Sequence, residues 1–240
     1  MKNMFKDMTQ KKLQRQSERG NVLFFIFLAI VLFAALGFTV SNIMRSGDPN
    51  MINEERSELY ANEIIDLGRI MRSTVQELKI DGCDNTQISF EGLDDQWGGQ
   101  YSNPGSPTNN SCHVFDSAGG GALKPSALND WLYQPWGFEY SGVEFNSEIL
   151  VESIGSSDSE LIFWIYNIKP QICAAINKRL GFPETHSDTT TAFTDEFKGS
   201  YSSAADNLGD DPSSIFEGKM SGCQYDAAGF GHFWQVIIAR

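Results

Sequence analysis

The residues of this chain with the most predictable chemistry are its four cysteines, Cys83, Cys112, Cys173 and Cys223. They form no C-x-x-C pair, whereas zinc sites usually have closely spaced ligand pairs, so we expect disulfides formed in an oxidising, extracytoplasmic compartment. Four cysteines allow three connectivities, among which sequence alone does not choose. Pairing sequence neighbours closes the smaller loops, so we favour Cys83 with Cys112 and Cys173 with Cys223, each bridge contributing about 2–4 kcal/mol.

Metal binding by other side chains is only weakly indicated. The three histidines lie far apart along the chain. Asp206, Asp210 and Asp211 carry the oxygen ligands that calcium prefers, but their spacing matches no EF-hand loop. A solvated acidic loop is the simpler interpretation, and the sequence predicts no metal, with these aspartates as a weak calcium candidate.

The sequence contains none of the common catalytic motifs. It has no G-x-S-x-G elbow and no H-E-x-x-H helix. The glycine triplet at 119–121 is not followed by the Lys-Ser or Lys-Thr pair of a phosphate-binding loop. We therefore expect no enzymatic activity and no cofactor, and we look for a function in binding or assembly.

The charge of the chain divides it into a basic leader and an acidic remainder. The whole chain has a formal net charge of −13, and because residues 1–20 carry +4, the remaining residues carry −17. Such an acidic protein repels nucleic acid phosphates, so we expect no nucleic acid partner. The acidity favours solubility, which suits an exported domain.

Residues 22–40 form an uncharged apolar run of nineteen residues. A bilayer core of about 30 Å needs roughly 20 apolar residues in a helix, so the run predicts a transmembrane helix. Because basic flanks stay cytoplasmic, we expect a single-pass inner-membrane protein with a periplasmic or extracellular C-terminal domain. A cleaved signal peptide has a shorter apolar region and a small-residue cleavage site, whereas a plain uncleaved anchor remains open.

The leader joins this helix without a polar spacer. Residues 1–20 end in Ser17-Glu18-Arg19-Gly20, and the apolar run follows directly. This arrangement resembles the class III leader of type IV pilins and type II secretion pseudopilins. The resemblance implies that a prepilin peptidase cuts between Gly20 and Asn21, that the new N-terminus is methylated, and that the helix packs against other pilin-like subunits.

Two positions depart from the pattern of that family. Its members usually have phenylalanine as the first mature residue and glutamate four positions later, where this chain has Asn21 and Phe25. In the family the glutamate pairs with the N-terminal amine of a neighbouring subunit, and the tip pseudopilin also lacks it. The resemblance therefore implies a minor or tip-like subunit of a type IV filament or secretion-type assembly.

Helical patterns continue after the apolar run, giving a predicted organisation in four parts. Asp48-Pro49 is typical of a helix start, and apolar residues from Leu59 to Leu78 recur at spacings of three and four. Asp81-Gly82 ends the pattern. The predicted parts are a leader at 1–20, a transmembrane helix at 21–46, an amphipathic helix at 47–80 and a disulfide-stapled head at 81–240.

The head alternates strand patterns with polar loops. β-branched and aromatic residues predict strands. A short helix is predicted at 171–180, because a glycine follows it as a C-cap. The Ser-, Asp- and Thr-rich segment 184–213 predicts an exposed loop that buries little apolar surface. The predicted strands are 136–140, 148–152, 160–166 and 231–240, with 160–166 central. The expected fold is α+β and pilin-like: a long N-terminal helix packed on an antiparallel meander.

A rival hypothesis keeps the membrane anchor but not the assembly. In it, the exported domain binds an envelope partner or a glycan through exposed Trp97, Trp131 and Trp136. Tryptophans more often pack inside a fold, because their rings supply a large buried area. Replacement of Gly20 separates the two hypotheses, since it blocks the maturation of a pilin-like protein only.

Overall fold

Two units make up the computed structural model, residues Met1–Asn53 and Glu54–Arg240. The first unit contributes helix α1, Val22–Thr39, which is long and apolar enough to cross a membrane. The junction after α1 lies outside the described part of the chain. The described residues are 22–39, 49–93, 101–125, 130–133, 142–183, 196–202, 206–209 and 215–240.

Helix α2 spans Pro49–Ile80, so it starts two residues after the predicted range of 47–80 and ends where that range ends. Proline suits a first turn because its missing N–H has no partner there. At the other end Gly82 has φ +102°, and the N–H groups of Gly82 and Cys83 bond to the carbonyls of Lys79 and Leu78 at 3.1 and 3.0 Å. The chain therefore leaves the helix through a glycine turn.

From Glu54 onward α2 buries one apolar stripe in the core of the second unit. The buried side chains are Ala61, Ile64, Ile65, Met71, Val75 and Leu78. Leu59, predicted to belong to this stripe, is 55% exposed. It lies two residues before Ala61, about 200° around the helix, which places it on the opposite side.

A close approach at Gly68 brings α2 onto the sheet. A Cβ atom at this glycine would lie 3.0 Å from Cε1 of Phe233 and 3.2 Å from Cβ of Gln235. About two turns further along, the Gln76 side chain donates to the carbonyl of Ile237 at 3.0 Å. The missing side chain of Gly68 therefore lets helix and strand backbones approach closely.

The sheet has five strands in the order β3-β1-β2-β5-β4. The strands are β1 Val143–Val151, β2 Glu160–Ile168, β3 Asp206–Leu208, β4 Ser221–Tyr225 and β5 Gly231–Ile238. Neighbours pair antiparallel except β1 and β3, which are parallel. β2 is central, as its apolar residues on both faces predict, and the predicted strands at 148–152 and 231–240 correspond to β1 and β5.

The prediction of an antiparallel meander is wrong. After β2 the chain leaves the sheet through helix α3, Pro170–Leu180, and β3 then returns parallel to β1 at the far edge. β5 pairs with β2, while β4 lies outside it. The strand predicted at 136–140 lies outside the described residues.

Alternating side chains give the sheet two apolar faces. Phe145, Phe163 and Phe233 belong to the same cluster as the buried stripe of α2. Trp164 and Trp234 belong to a second cluster, with Ile162, Val236 and Phe216. Burial of both faces explains why β2 and β5 are almost continuously apolar.

The segment 184–213, predicted to bury little, contributes to both clusters. Phe197 is 1% exposed and lies 6.0 Å from the ring of Phe90. Leu208, in β3, is 0% exposed and belongs to the second cluster. The segment is polar on average, but isolated apolar residues within it are buried in the core. The prediction that it buries little apolar surface is therefore wrong at these positions.

Helix α3, Pro170–Leu180, starts one residue before the predicted range of 171–180 and is followed by Gly181, which has φ +79°. Its buried face contains Ile172, Ala175 and Ile176, at the three- and four-residue spacings of one helix face, together with Asn177. The same spacing predicts Arg179 on that face, but its side chain is 40% exposed and lies 3.3 Å from Glu58. A guanidinium that reaches an exposed carboxylate avoids the desolvation that burial would impose.

Candidate membrane-anchoring and assembly site

Helix α1 presents an apolar surface that is exposed on all sides. The exposed fraction of its large apolar side chains ranges from 47% at Leu28 to 77% at Phe33. None of the window Val22–Thr39 is buried. With a rise of ~1.5 Å per residue, the helix is about 27 Å long, close to the hydrocarbon thickness of a bilayer.

Such a helix has two chemical uses. Within a bilayer its backbone N–H and C=O groups are satisfied internally, and its side chains match the lipid tails. It also packs against other apolar helices by van der Waals contact. Thr39, at its end, donates its hydroxyl to the carbonyl of Leu36 at 2.8 Å, so this polar group is satisfied by the helix itself.

The residues predicted for processing lie outside the described part of the chain. These are Gly20 and Asn21, together with the rest of the leader at 1–20. Phe25, where the pilin family has glutamate, is on α1 and 60% exposed. The described helix therefore carries no carboxylate at that position, and cleavage after Gly20 stays a prediction.

The four cysteines are joined as two disulfides, the pairs that close the smaller loops. Cys83 is bonded to Cys112, and their Cα atoms are 5.8 Å apart. Cys173 on α3 is bonded to Cys223 on β4, with a Cα separation of 5.4 Å. The first bridge ties the end of α2 to the following loop, and the second fastens α3 to the outer strand of the sheet.

A buried asparagine strengthens the second attachment. Asn177 of α3 donates to the carbonyl of Cys223 at 2.7 Å and accepts from its N–H at 3.0 Å. The amide therefore pairs with β4 as a neighbouring strand would, and it satisfies edge groups that burial would otherwise leave unpaired.

The aspartates proposed for calcium are not brought together in the described structure. Asp206 begins β3, where its backbone is opposite Ile149, while Asp210 and Asp211 lie outside the described residues. Within the described ranges, no group of three or more His, Cys, Asp or Glu residues is placed to hold a metal ion. The calcium candidate stays a prediction.

The tryptophans considered for glycan binding are only partly described. Trp131 is 4% exposed, so its ring is not available as a stacking surface. Trp97 and Trp136 lie outside the described residues. The described structure therefore provides no tryptophan platform for a sugar.

Comparison with known proteins does not supply a family. No protein-family model matches the chain, and no curated protein or solved structure matches it either. Any functional assignment therefore depends on the chemistry of the chain itself. The apolar helix, the acidic head and the two disulfides are the features available for that purpose.

Sequence reasoning missed a buried carboxyl group at the start of β2. Glu160 is 0% exposed, and its Oε2 accepts the N–H of Val151 at 2.7 Å. Its Oε1 is buried without a described partner. Burial raises the pKa of Glu160 to about 7, against the lowering effect of the Val151 hydrogen bond and of nearby Arg240. Sequence gave no signal, because glutamate at a strand end is usually solvated.

Arg240 was also missed as part of the same end of the sheet. Its guanidinium lies over the ring of Tyr201, 4.1 Å from the centroid, and contacts Asp158 at 3.4 Å. Burial raises the pKa of Tyr201. Through these contacts the arginine joins the chain end to Tyr201 and Asp158, which indicates a structural role.

A second titrating pair lies on β5 and the turn before it. Nε2 of His232 is 3.3 Å from Oδ2 of Asp226, and the histidine is 8% exposed. Burial lowers the pKa of His232, although Asp226 opposes this effect. The ring packs near Trp164 and Tyr166, a position that indicates a packed core histidine rather than a catalytic base.

Proposed function

We propose that the protein is an exported, non-catalytic assembly subunit, a minor or tip-like pilin or pseudopilin of a type IV filament or secretion-type system. The observation that carries the proposal is α1, an apolar helix with every described side chain exposed. Exposed apolar surface of this extent requires lipid or protein around it. The basic leader that precedes it supports insertion with the N-terminus in the cytoplasm.

The second unit supports an extracytoplasmic location for the head. Its four cysteines form two disulfides, and no described cysteine is free. Disulfides persist in oxidising compartments and are rare in the cytosol. A head braced in this way, with a long helix against an antiparallel-rich sheet, is the architecture that the resemblance to pilins leads us to expect.

In this proposal each part has a distinct role. The prepilin peptidase removes residues 1–20 after Gly20, and the remaining chain stays in the inner membrane through α1. The same helix then packs against other pilin-like subunits. Absence of a glutamate at Phe25 removes the pairing partner for the amine of a neighbouring subunit, which favours a position at a filament end.

Substitution of Gly20 tests the proposal directly. We expect Gly20→Val to retain residues 1–20, measured as the intact mass of protein extracted from membranes of cells with an active prepilin peptidase. Gly37→Val is the matched control, because a Cβ at Gly37 has no atom within 4 Å. It should mature normally.

Two results would contradict the proposal. One is a wild-type protein that keeps its leader in such cells, and the other is a Gly20→Val variant that loses it as the wild type does. Either result would favour the rival function, a single-pass anchor that carries a binding domain for an envelope partner. The rival uses the same helix but requires no cut after Gly20.

A further inference from the structure

A basic groove lies between α2 and the outer strand of the sheet. It has a volume of about 390 Å³ and is lined by Arg69, Arg72, Ser73, Gln76, Met220, Ser221 and Gln235. This volume is within the range of sites that hold small ligands or short segments. The lining has two cations and no carboxylate, although residues 21–240 carry −17.

The two arginines are placed to act on one ligand. Residues three apart are neighbours on a helix surface, so Arg69 and Arg72 present their guanidinium groups along one side of the groove. Arg69 is held at 3.2 Å by Asp66 in a pair whose side chains are 66% and 65% exposed. An exposed ion pair of this kind contributes little to stability, so a ligand carboxylate can replace Asp66 as the partner of Arg69. Arg72 has no ion pair among the described residues.

The opposite side of the groove offers backbone groups that have no partner among the described residues. Cys223 directs its N–H and C=O outward to Asn177, and alternate residues of a strand point the same way. The N–H and C=O of Ser221 therefore also point away from β5, beyond the reach of the Asn177 amide. Edge groups of this kind pair with an added strand.

The glutamines of the groove distinguish a peptide from a simple anion. The Gln76 amide donates to Ile237, and the Gln235 amide donates to Met220 and Val236. These bonds hold both amide groups in place, and neither amide oxygen has a hydrogen bond among the described residues, so both oxygens are left to accept. A peptide supplies N–H donors as well as carboxylates, whereas phosphate or another bare anion uses the arginines alone.

We propose that this groove binds an acidic, extended segment of a partner protein. The segment adds a short strand at Ser221, and its carboxylates pair with Arg69 and Arg72. This mode joins main-chain pairing, which gives affinity, to side-chain recognition, which gives specificity. The proposal does not depend on how α1 is processed.

Peptide binding to the full-length protein in detergent micelles tests the proposal. The probe is a short labelled peptide that alternates glutamate with threonine, because alternate residues of a strand face the same side. We expect Arg69→Gln and Arg72→Gln each to weaken binding about tenfold. Arg56→Gln, on α2 outside the groove, is the matched control and should bind as the wild type does. Asp66→Asn frees Arg69 and should tighten binding.

Three further probes show what the groove recognises. A peptide with glutamine in place of glutamate should not bind, and a peptide with N-methylated backbone amides should bind at least about tenfold more weakly. Oligothymidine should not bind.

Three results would each overturn the proposal. They are unchanged peptide binding in a variant with both Arg69→Gln and Arg72→Gln, equal binding of the N-methylated peptide, and oligothymidine binding that depends on both arginines. Equal thermal midpoints for the variants and Arg56→Gln exclude misfolding as the cause of weaker binding.

Discussion

Individual polar residues inside the second unit decide how its stability responds to pH. Glu160 is buried, with one oxygen bonded to the N–H of Val151 and the other without a partner among the described residues. His232 is buried beside Asp226. Burial raises the pKa of the glutamate and lowers that of the histidine. Both shifts favour the neutral form of the side chain in the folded protein. Because neutral glutamate carries a proton and neutral histidine has lost one, the two residues make the free energy of unfolding change with pH in opposite directions.

For Glu160 we expect stability to fall as pH rises from about 4.5 to about 7. Below this range the carboxyl group is protonated in both the folded and the unfolded protein. Within it, the carboxyl group ionises in the unfolded chain but stays protonated in the folded one. The difference corresponds to about 3 kcal/mol at most. Glu160→Gln keeps an acceptor for Val151 and should abolish this fall in urea unfolding measured across the range. An unchanged pH profile in the variant would contradict the assignment.

For His232 the expected change has the opposite sign. Because its folded pKa is lowered, the unfolded chain takes up the proton first, and stability falls as pH drops through the ordinary histidine range. An NMR titration of the three histidine rings should give His232 the midpoint below 6.5. Asp226→Asn should lower that midpoint further, because it removes the carboxylate that favours the proton. A midpoint above 6.5 in the wild type contradicts burial as the dominant cause.

At the scale of elements, the second unit depends on how α2 meets the sheet. The helix crosses β5 where Gly68 leaves room for Phe233, and its stripe from Ala61 to Leu78 completes the apolar cluster on that face. On the outer side, the disulfide from Cys173 and the amide of Asn177 attach α3 to β4. These contacts join elements that are distant in sequence.

We expect Gly68→Val to destabilise the protein by about 1–3 kcal/mol, because the added methyl groups overlap Phe233 and Gln235. Urea unfolding followed by tryptophan fluorescence measures the change. Ser73→Val places the same β-branched side chain at an exposed position of α2 and serves as the control for helix propensity. Equal losses in the two variants would show that the helix does not approach the sheet at Gly68.

Sequence reasoning succeeded where a pattern is local. The bounds of α2 follow from Pro49 and Gly82, those of α3 from Pro170 and Gly181, and the central place of β2 from its apolar run. The cysteine pairing follows from loop length. The helix bounds and the apolar run of β2 need only neighbouring residues to be recognised.

The features that sequence reasoning did not predict depend on contacts between residues that are distant in the sequence. β3 and Phe197 lie in a polar segment, so their burial comes from the cluster they join rather than from local composition. Leu59 and Arg179 match the apolar spacing of their helices but face outward. The groove of Arg69 and Arg72 forms only when β4 lies beside α2, and the parallel pairing of β1 with β3 has no sequence signal of its own.

At the scale of the whole molecule, charge and hydropathy define two chemically different parts. The basic leader and α1 suit a membrane and its cytoplasmic face, whereas the acidic, disulfide-braced unit suits an oxidising aqueous compartment. Outside the groove of Arg69 and Arg72, an acidic surface of this kind repels nucleic acid and other acidic proteins. The proposed assembly through α1 would avoid that repulsion, because its contacts would be apolar.

Photo-crosslinking from α1 in intact membranes tests this account most directly. A photoreactive benzoylphenylalanine in place of Phe33, the most exposed large side chain of α1 at 77%, samples what surrounds the helix. We predict adducts with the apolar N-terminal helix of another envelope protein, identified by mass spectrometry. Adducts with lipid alone, at Phe33 and at Phe24 or Phe27, would contradict assembly through this helix and leave it a simple anchor.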